Sequence, residues 1–444
     1  LMTLPAVYRD LFNKTGKPLE ESIDLIELEP SFRYRWTDGS TVTMPGADTA
    51  RAAAALQAGL GGSNAEDWNA LMRHAARMWD LTRPMFLEQP LAGLRSILPM
   101  MRDRTNAKVM TPWLSLRGIG KKYLSDPRTA MLLDRYATYT GSDPRKATSA
   151  LATVPYMEQT FGAFHIAGGL RSLGTALFNR CIERGVTFEF SLPVTSITRG
   201  ADGAATGVDT ATGHIPADIV VANVDARQLA RTLMPDEKSL QPALRQQQSL
   251  SGFCMYLAVE GKTPEVAHHN VWFGDDYDAE FDSIFGVGRH SSGARPIDDP
   301  VIYACVPQDE SMAPAGCESW FLLINAAPHS TEKSRRHVNW ETPGLADAYA
   351  ERILDVLAAR GVDLRPRIRW QQLRTPADIE RDTGSIGGAI YGTASHGAMA
   401  AFRRPANQSK VPGLYLVGGS SHPGGGLPLV GMSASIVADL IGRA

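Results

Sequence analysis

The sequence predicts an α/β protein of two or more domains. Three observations carry that expectation. At 444 residues the chain is longer than one ordinary hydrophobic core accommodates. Residues 414–440 read as a short apolar strand, a glycine turn and a helix of small residues. Residues 170–225 show the same alternation, a helix followed by strands and turns.

Composition narrows the class. Hydrophobic residues make up 43% and charged residues 21%, as in a soluble globular protein. The formal net charge of −2 gives no electrostatic case for nucleic acid. No apolar run reaches about 18 residues, so no spanning helix is expected. Contact with a membrane surface stays open, because it needs only an apolar or amphipathic patch. Cys181, Cys254, Cys305 and Cys317 have no Cys-x-x-Cys spacing. Buried free thiols in a reducing compartment are expected, and neither a zinc site nor a disulfide framework.

The elements follow in order. Pro5 opens a helix with an apolar stripe of Leu4, Tyr8, Leu11 and Phe12. Phe32, Tyr34 and Trp36 alternate, Asp38-Gly39 turns the chain, and Thr41 to Thr43 returns as the second arm of a hairpin. Residues 48–158 are mainly helical. Ser63 and Glu66 make a candidate capping box before a helix with Trp68, Leu71, Met72, Ala75 and Trp79 on one side. Leu91 to Met101 is apolar, and Arg102, Arg104 and Lys108 follow. That pattern suits a core helix with a solvated end, which is favoured, or a segment touching an anionic membrane.

Gly168-Gly169 precedes a helix through Leu170, Leu173, Leu177 and Cys181, closed near Gly185. Val186, Phe188 and Phe190 alternate as a strand. Val194 to Thr198 is a second strand, Ala201-Asp202-Gly203 a hairpin turn, and Ile219 to Asp225 a third strand. Further strands cover Phe253–Val259, Val301–Val306, Trp320–Ala326 and Ile368–Leu373. Leu345, Tyr349, Ile353, Val356 and Leu357 mark an amphipathic helix ending at Gly361. His268-His269 invites a metal reading. Adjacent residues of an extended segment point apart, however, and the pair lacks an i, i+4 partner. A turn without metal is expected there.

In the last stretch Leu414 to Val417 is the strand, and Gly418-Gly419 ends it. Gly424, Gly425 and Gly426 bare the backbone, and Leu427 to Leu440 is the helix. Backbone N–H groups and a helix N-terminus can face an anionic or polar ligand there. Missing Cβ atoms let it lie against the main chain. For an isolated triglycine a plain turn is the alternative.

Leu414, Tyr415, Leu416, Val417, Gly418, His422, Pro423, Gly424, Gly426, Pro428 and Val430 together resemble the C-terminal flavin motif of the bacterial-type phytoene desaturases. These are FAD-dependent carotenoid desaturases. Ser421 stands where the family usually has threonine. The likeness runs over nearly the whole chain, with an A-P-x-G turn at Ala313–Gly316, a T-P at Thr375-Pro376 and an R-P at Arg404-Pro405.

The resemblance implies an amine-oxidase-like plan. A Rossmann-like FAD domain would comprise residues 1–18, 160–245 and 385–444. A mixed α+β substrate domain would comprise 19–47 and 246–384, and a helical lid 48–159. Val194 would meet the adenine through its backbone. Gly418, Gly419, Ser420, Gly425, Gly426, Leu427 and Val430 would hold the rest of the cofactor, with the segment before Arg404 beside the isoalloxazine. Arg135, Tyr136 and Tyr139 would line a substrate tunnel or equally pack between domains. His422 is the one weak catalytic candidate. It would position the flavin or pass a proton, and a structural hydrogen bond suits it equally.

The family also has an N-terminal strand, G-x-G-x-x-G turn, helix and strand that cradle the FAD pyrophosphate. Gly118-Ile119-Gly120 and Gly286-Val287-Gly288 lack the third glycine. The fingerprint is therefore missing from this sequence. A preceding βαβ unit of roughly 30 residues or more is expected.

No side chain accepts a hydride, so desaturation needs an organic cofactor. There is no G-x-S-x-G for a serine hydrolase and no ligand spacing for a metal enzyme. The expectation is an FAD oxidoreductase that desaturates a long isoprenoid hydrocarbon such as phytoene. Alternatives are a hydroxycarotenoid desaturase, a carotenoid oxidase, a flavin-free isoprenoid-binding protein or an inactive fragment. The expected partners are a carotenoid and a membrane surface, on its cytoplasmic inner face.

Overall fold

The computed structural model describes residues 2–91, 93, 102–289 and 292–442. The apolar run Leu91 to Met101 lies outside the described residues except for Leu91 and Gly93. The first part of the chain holds α1 (Ala6–Lys14), β1 (Leu25–Glu27), β2 (Phe32–Arg35), β3 (Thr41–Met44), α2 (Thr49–Leu60) and α3 (Asn64–Thr82). Next come α4 (Arg104–Met110), α5 (Leu116–Tyr123), α6 (Pro127–Arg135), α7 (Thr153–Phe161), β4 (Phe164–Ile166) and α8 (Leu170–Glu183). Four short strands follow: β5 (Val194–Arg199), β6 (Ala205–Thr210), β7 (Gly213–Pro216) and β8 (Val220–Ala222). The remainder comprises β9 (Ser251–Glu260), β10 (His269–Trp272), α9 (Tyr277–Phe285), β11 (Ile302–Cys305), β12 (Cys317–Ala326), α10 (Leu345–Ala359), β13 (Ile368–Arg374), α11 (Pro376–Thr383), β14 (Leu414–Leu416) and α12 (Leu427–Ile441).

The largest sheet has the order β13-β9-β12-β11-β10-β2-β3. Its ladders are antiparallel except β10 on β2, which is parallel with Val271 opposite Tyr34. The expected hairpin forms, with Tyr34 opposite Val42. Phe32, Tyr34, Trp36, Val42 and Met44 join one buried cluster with Trp68, Leu71 and Met78 of α3 and Ile353 and Leu357 of α10. Each such side chain contributes about 1.5–3 kcal/mol on full burial. The sheet and the helices before it therefore share one core.

Two smaller cores lie elsewhere. One joins β5, β6, β8 and β14 through Ile197, Ala205, Val220, Leu414 and Leu416. The other joins α1, α8 and β4 through Tyr8, Phe12, Leu173 and Ile166. β14 and β8 make a two-stranded parallel sheet.

Three expectations are corrected. Val186, Phe188 and Phe190 do not form a strand, because no described strand lies beside them to complete a ladder. Their aromatic rings gather instead, Phe188 stacked on Phe190 at 5.7 Å and tilted against Phe178 of α8 at 4.6 Å. The capping box at Ser63 does not form, since the Ser63 hydroxyl turns to Asp67 and Ser125 and makes no cap bond. His269 is not in a turn: it opens β10, and β11 and β2 pair with it on either side.

Candidate functional site

β8 and β14 run in parallel, Leu414 opposite Val220 and Leu416 opposite Ala222. Open α/β sheets bind ligands beyond the carboxyl ends of such strands. The backbone leaving those ends, at Asn223–Asp225 and at Val417, Gly419 and Ser420, walls a cleft of 280 Å³ with Ile379, Ser385, Ile390 and Gly392.

Glycine is required in the loop that leaves β14. Gly418 has φ +103°, and a Cβ there would collide with Asn223 Oδ1. A Cβ on Gly425 would sit 2.7 Å from Tyr391 Cδ1. After Gly426, at φ +109°, α12 starts with no side-chain cap. The donors of its first turn therefore remain open to a ligand, at the positive end of the helix dipole.

Buried polar groups hold the loop. Arg404 Nη1 donates to the carbonyls of Gly419 at 3.1 Å and Tyr391 at 3.2 Å, and Nη2 to that of Thr393 at 3.1 Å. Burial pushes Arg404 down to about 10, which leaves it charged at neutral pH. Asn407 Nδ2 donates to the carbonyls of Leu416 at 3.1 Å and His422 at 2.9 Å. Ser433 of α12 accepts from the Gly418 N–H at 3.2 Å and donates to the His422 carbonyl at 2.8 Å.

The residues singled out from sequence divide between wall and scaffold. Gly419 and Ser420 line the cleft. The Ser420 hydroxyl accepts from the Ala226 N–H at 2.9 Å. The Leu427 carbonyl accepts from the Tyr8 hydroxyl at 2.9 Å, and the Val430 N–H closes the first turn of α12 onto Gly426 at 2.9 Å. His422 Nε2 lies 3.0 Å from the Gln89 carbonyl, which only accepts, so Nε2 carries the proton. Burial first, and then the Arg404 charge, lower its pKa and keep the ring neutral. Val194 opens β5 in the three-stranded sheet, with an exposed side chain, and does not line the cleft.

A second group stands on the large sheet. Asp126 caps α6 by accepting from the Arg128 N–H at 2.8 Å, with Pro127 at the first position. The helix delivers Arg135 to the interior, where it is 6% exposed. Its guanidinium carbon lies 5.1 Å from the Tyr139 ring, 5.5 Å from Phe32, 5.6 Å from Tyr303 and 6.0 Å from Tyr34. Arg135 Nη1 donates to Tyr139 Oη at 2.8 Å. Tyr136 donates to Glu158 Oε1 at 2.7 Å. Burial pushes the Glu158 carboxyl up to about 7, against the Tyr136 bond and the Arg135 charge.

Tyr391 connects the two groups. The turn after Tyr139 reaches Gly141, where a Cβ would lie 3.0 Å from Tyr391 Cδ2. The opposite edge of the same ring faces Gly425. Arg135 and Tyr139 thus stand one ring away from the glycine loop. Tyr391, Asn407 and Asn223 were not singled out from sequence. An aromatic among the glycines of residues 384–392 was a usable signal for Tyr391. Nothing local marks Asn407, whose partners lie on β14, the glycine loop and α12.

The cleft suits the flat ring system of a flavin. It lies off parallel strand ends, part of its wall is the backbone of Val417, Gly419 and Ser420, and the uncapped N-terminus of α12 follows from the same glycine loop. The residues present therefore fit the ring end of FAD. The G-x-G-x-x-G turn that grips a pyrophosphate is not in this sequence.

Comparison with known proteins agrees. The family model for flavin containing amine oxidoreductases matches residues 7–314. A 1-hydroxycarotenoid 3,4-desaturase of Flavobacterium sp. (strain P99-3) is 32% identical over 99% of this chain and 88% of its own length. A hydroxyneurosporene desaturase of Cereibacter sphaeroides is 30% identical over 100% of this chain and 88% of its own length. A 4,4'-diapolycopene oxygenase of Methylomonas sp. is 29% identical over 99% and 87%. The cyclohexylamine oxidase of Brevibacterium oxydans IH-35A shares the fold alone, with a TM-score of 0.56 at 11% identity over 98% of this chain and 85% of its own. The chain belongs to the flavin containing amine oxidoreductases and, among them, to the FAD-dependent carotenoid desaturases, a family of oxidoreductases acting on CH–CH bonds.

Proposed function

We propose that this chain desaturates a carotenoid that already carries a hydroxyl group, with Arg135 and Tyr139 holding that oxygen. The observation that carries the reading is the Arg135 guanidinium, buried in a cage of aromatic rings. Among the described residues its one side-chain hydrogen bond goes to Tyr139. A hydrocarbon substrate has no use for a buried cation with spare donors, whereas a hydroxyl satisfies them. Two relatives whose names specify hydroxylated carotenoids support this choice over a phytoene step.

Desaturation removes a hydride and a proton from adjacent carbons and leaves a C=C bond. FAD, when bound, supplies the hydride acceptor. The chain's own residues bind and orient: the 418–426 loop and the start of α12 would hold the ring, Tyr391 stands between that loop and the cage, and Arg135 fixes the substrate's oxygenated end. Substrates this apolar reside in a bilayer, so the chain acts as a peripheral protein, on the cytoplasmic face. The apolar and basic residues 91–108 support that contact. No helix among the described residues is long and apolar enough to cross a membrane. Failure of the protein to float with anionic liposomes contradicts the membrane reading.

Each new conjugated double bond shifts the carotenoid's visible absorption to longer wavelength, which gives the assay. With the protein, FAD and liposomes, kcat/KM is expected to favour a hydroxylated carotenoid over its parent hydrocarbon. Arg135→Met is expected to lower kcat/KM for the hydroxylated substrate by about 10- to 100-fold, as for a lost charged hydrogen bond. It is expected to leave the hydrocarbon unaffected. Equal losses on both substrates contradict an anchoring role.

A further inference from the structure

We propose that His268, His269 and Cys305 form a binding site for Cu(I) on the large sheet. One donor atom of each residue lies within 4.8 Å of those of the other two. The ladder causes this. His269 on β10 stands directly opposite Cys305 on antiparallel β11, so both side chains leave the same face. His268 precedes the strand, and its ring turns toward its neighbour, 4.6 Å between centroids. The pointing-apart rule for extended neighbours fails here because His268 is outside the paired segment.

The surroundings resemble the supporting layer of a metal site. His269 is fully buried and its Nε2 has no partner, while Nδ1 lies 2.8 Å from Tyr303 Oη. Such a second bond fixes the orientation of a ligating imidazole. Behind His268 the His165 ring follows at 4.8 Å, and His165 Nε2 is bonded to Asp309 at 2.9 Å. Donors held at roughly 2.0–2.3 Å from one ion sit up to ~4 Å apart. The cluster therefore closes on an ion by about 1 Å, within side-chain freedom.

Charge selects the ion. Two imidazoles and a thiolate are a donor set for copper or zinc. Cys305 loses its proton on binding. A thiolate with Cu(I) is neutral, whereas with Zn²⁺ it leaves one positive charge. That charge would lie close to the buried Arg135, whose guanidinium packs on Phe32 and Tyr303, two of the rings that touch His269. Three donors also satisfy Cu(I), while zinc ordinarily takes four.

The test is an anaerobic titration of the purified full chain with Cu(I) against a chromogenic chelator. One copper per chain is expected, with none retained by Cys305→Ser or His269→Gln and full retention by Cys254→Ser. Tyr303→Phe is expected to weaken binding by about tenfold. X-ray absorption of the wild-type complex is expected to show one sulfur and two nitrogens, a readout that survives if a variant fails to fold. No copper on the folded wild-type chain, or a sulfur-only shell, overturns the site. Zinc competing at equal affinity overturns the charge argument for copper.

Discussion

Glu158 shows how much a single buried group can be made to report. Its carboxyl accepts from Tyr136, shares a pocket with Arg135, and is held at about 7 by burial. A carboxyl raised on folding leaves the folded state protonated where the unfolded chain, near 4.5, has already ionised. Its favourable contribution is complete below about 4.5 and is lost as pH climbs through about 7. Glu158→Gln keeps an acceptor for Tyr136 and removes the ionisation. It is expected to be more stable than wild type by about 1–3 kcal/mol at pH 8, with the gap closing near pH 4.5. Urea unfolding at the two pH values checks this, and a gap that widens toward acid contradicts it. At this scale the sequence was only partly legible. Arg135, Tyr136 and Tyr139 stood out through the family resemblance, and Arg135 and Tyr139 are the two that meet. Glu158 did not stand out, because its partner is 22 residues away and only packing brings them together. His422 stood out as the titratable group of the loop, and its bond to Gln89 accounts for it as scaffold.

At the level of elements, β14, the glycine loop and α12 behave as one unit because Asn407 and Ser433 pin them from behind. Asn407→Leu takes that donor from the buried Leu416 carbonyl, while the His422 carbonyl keeps the Ser433 hydroxyl. A cost of about 1–3 kcal/mol is expected, as for one buried group left unpaired. Chemical denaturation measures it, and a change below about 0.5 kcal/mol would show that the pin is dispensable. Elements with a local signature were legible. The 32–44 hairpin followed from alternation and Asp38-Gly39, and α12 from its glycine entry and small apolar residues. α11 carried a signature that went unused: Thr375 caps it, Pro376 opens it, and Asp378 bonds back to Thr375, a complete capping box. The Val186–Phe190 segment shows the limit. Alternation marks a strand-forming face, but a strand also needs a neighbour to pair with, and the rings settled on Phe178 instead.

For the whole molecule, the seven-stranded sheet carries the aromatic cage and the His268–His269–Cys305 cluster, while the β8–β14 pair carries the glycine cleft. Tyr391 is where they meet. The α/β class was legible because its periodicities are local. The strand order was not, since it pairs β2 with β10 across more than 200 residues of sequence. The likeness of the C-terminal stretch to a flavin motif supplied what periodicity could not, and the family match agrees with it. The central claim is that the 418–426 loop, backed by Tyr391, holds a flavin ring in the cleft beyond β8 and β14. Lumiflavin, the ring system without ribityl or pyrophosphate, tests it most directly. Titrating the folded chain into lumiflavin is expected to quench its fluorescence in a saturable way. Gly425→Leu, which drives a side chain toward Tyr391, is expected to abolish the quenching without unfolding the protein. Quenching that survives in Gly425→Leu, or none in the wild type, contradicts the account.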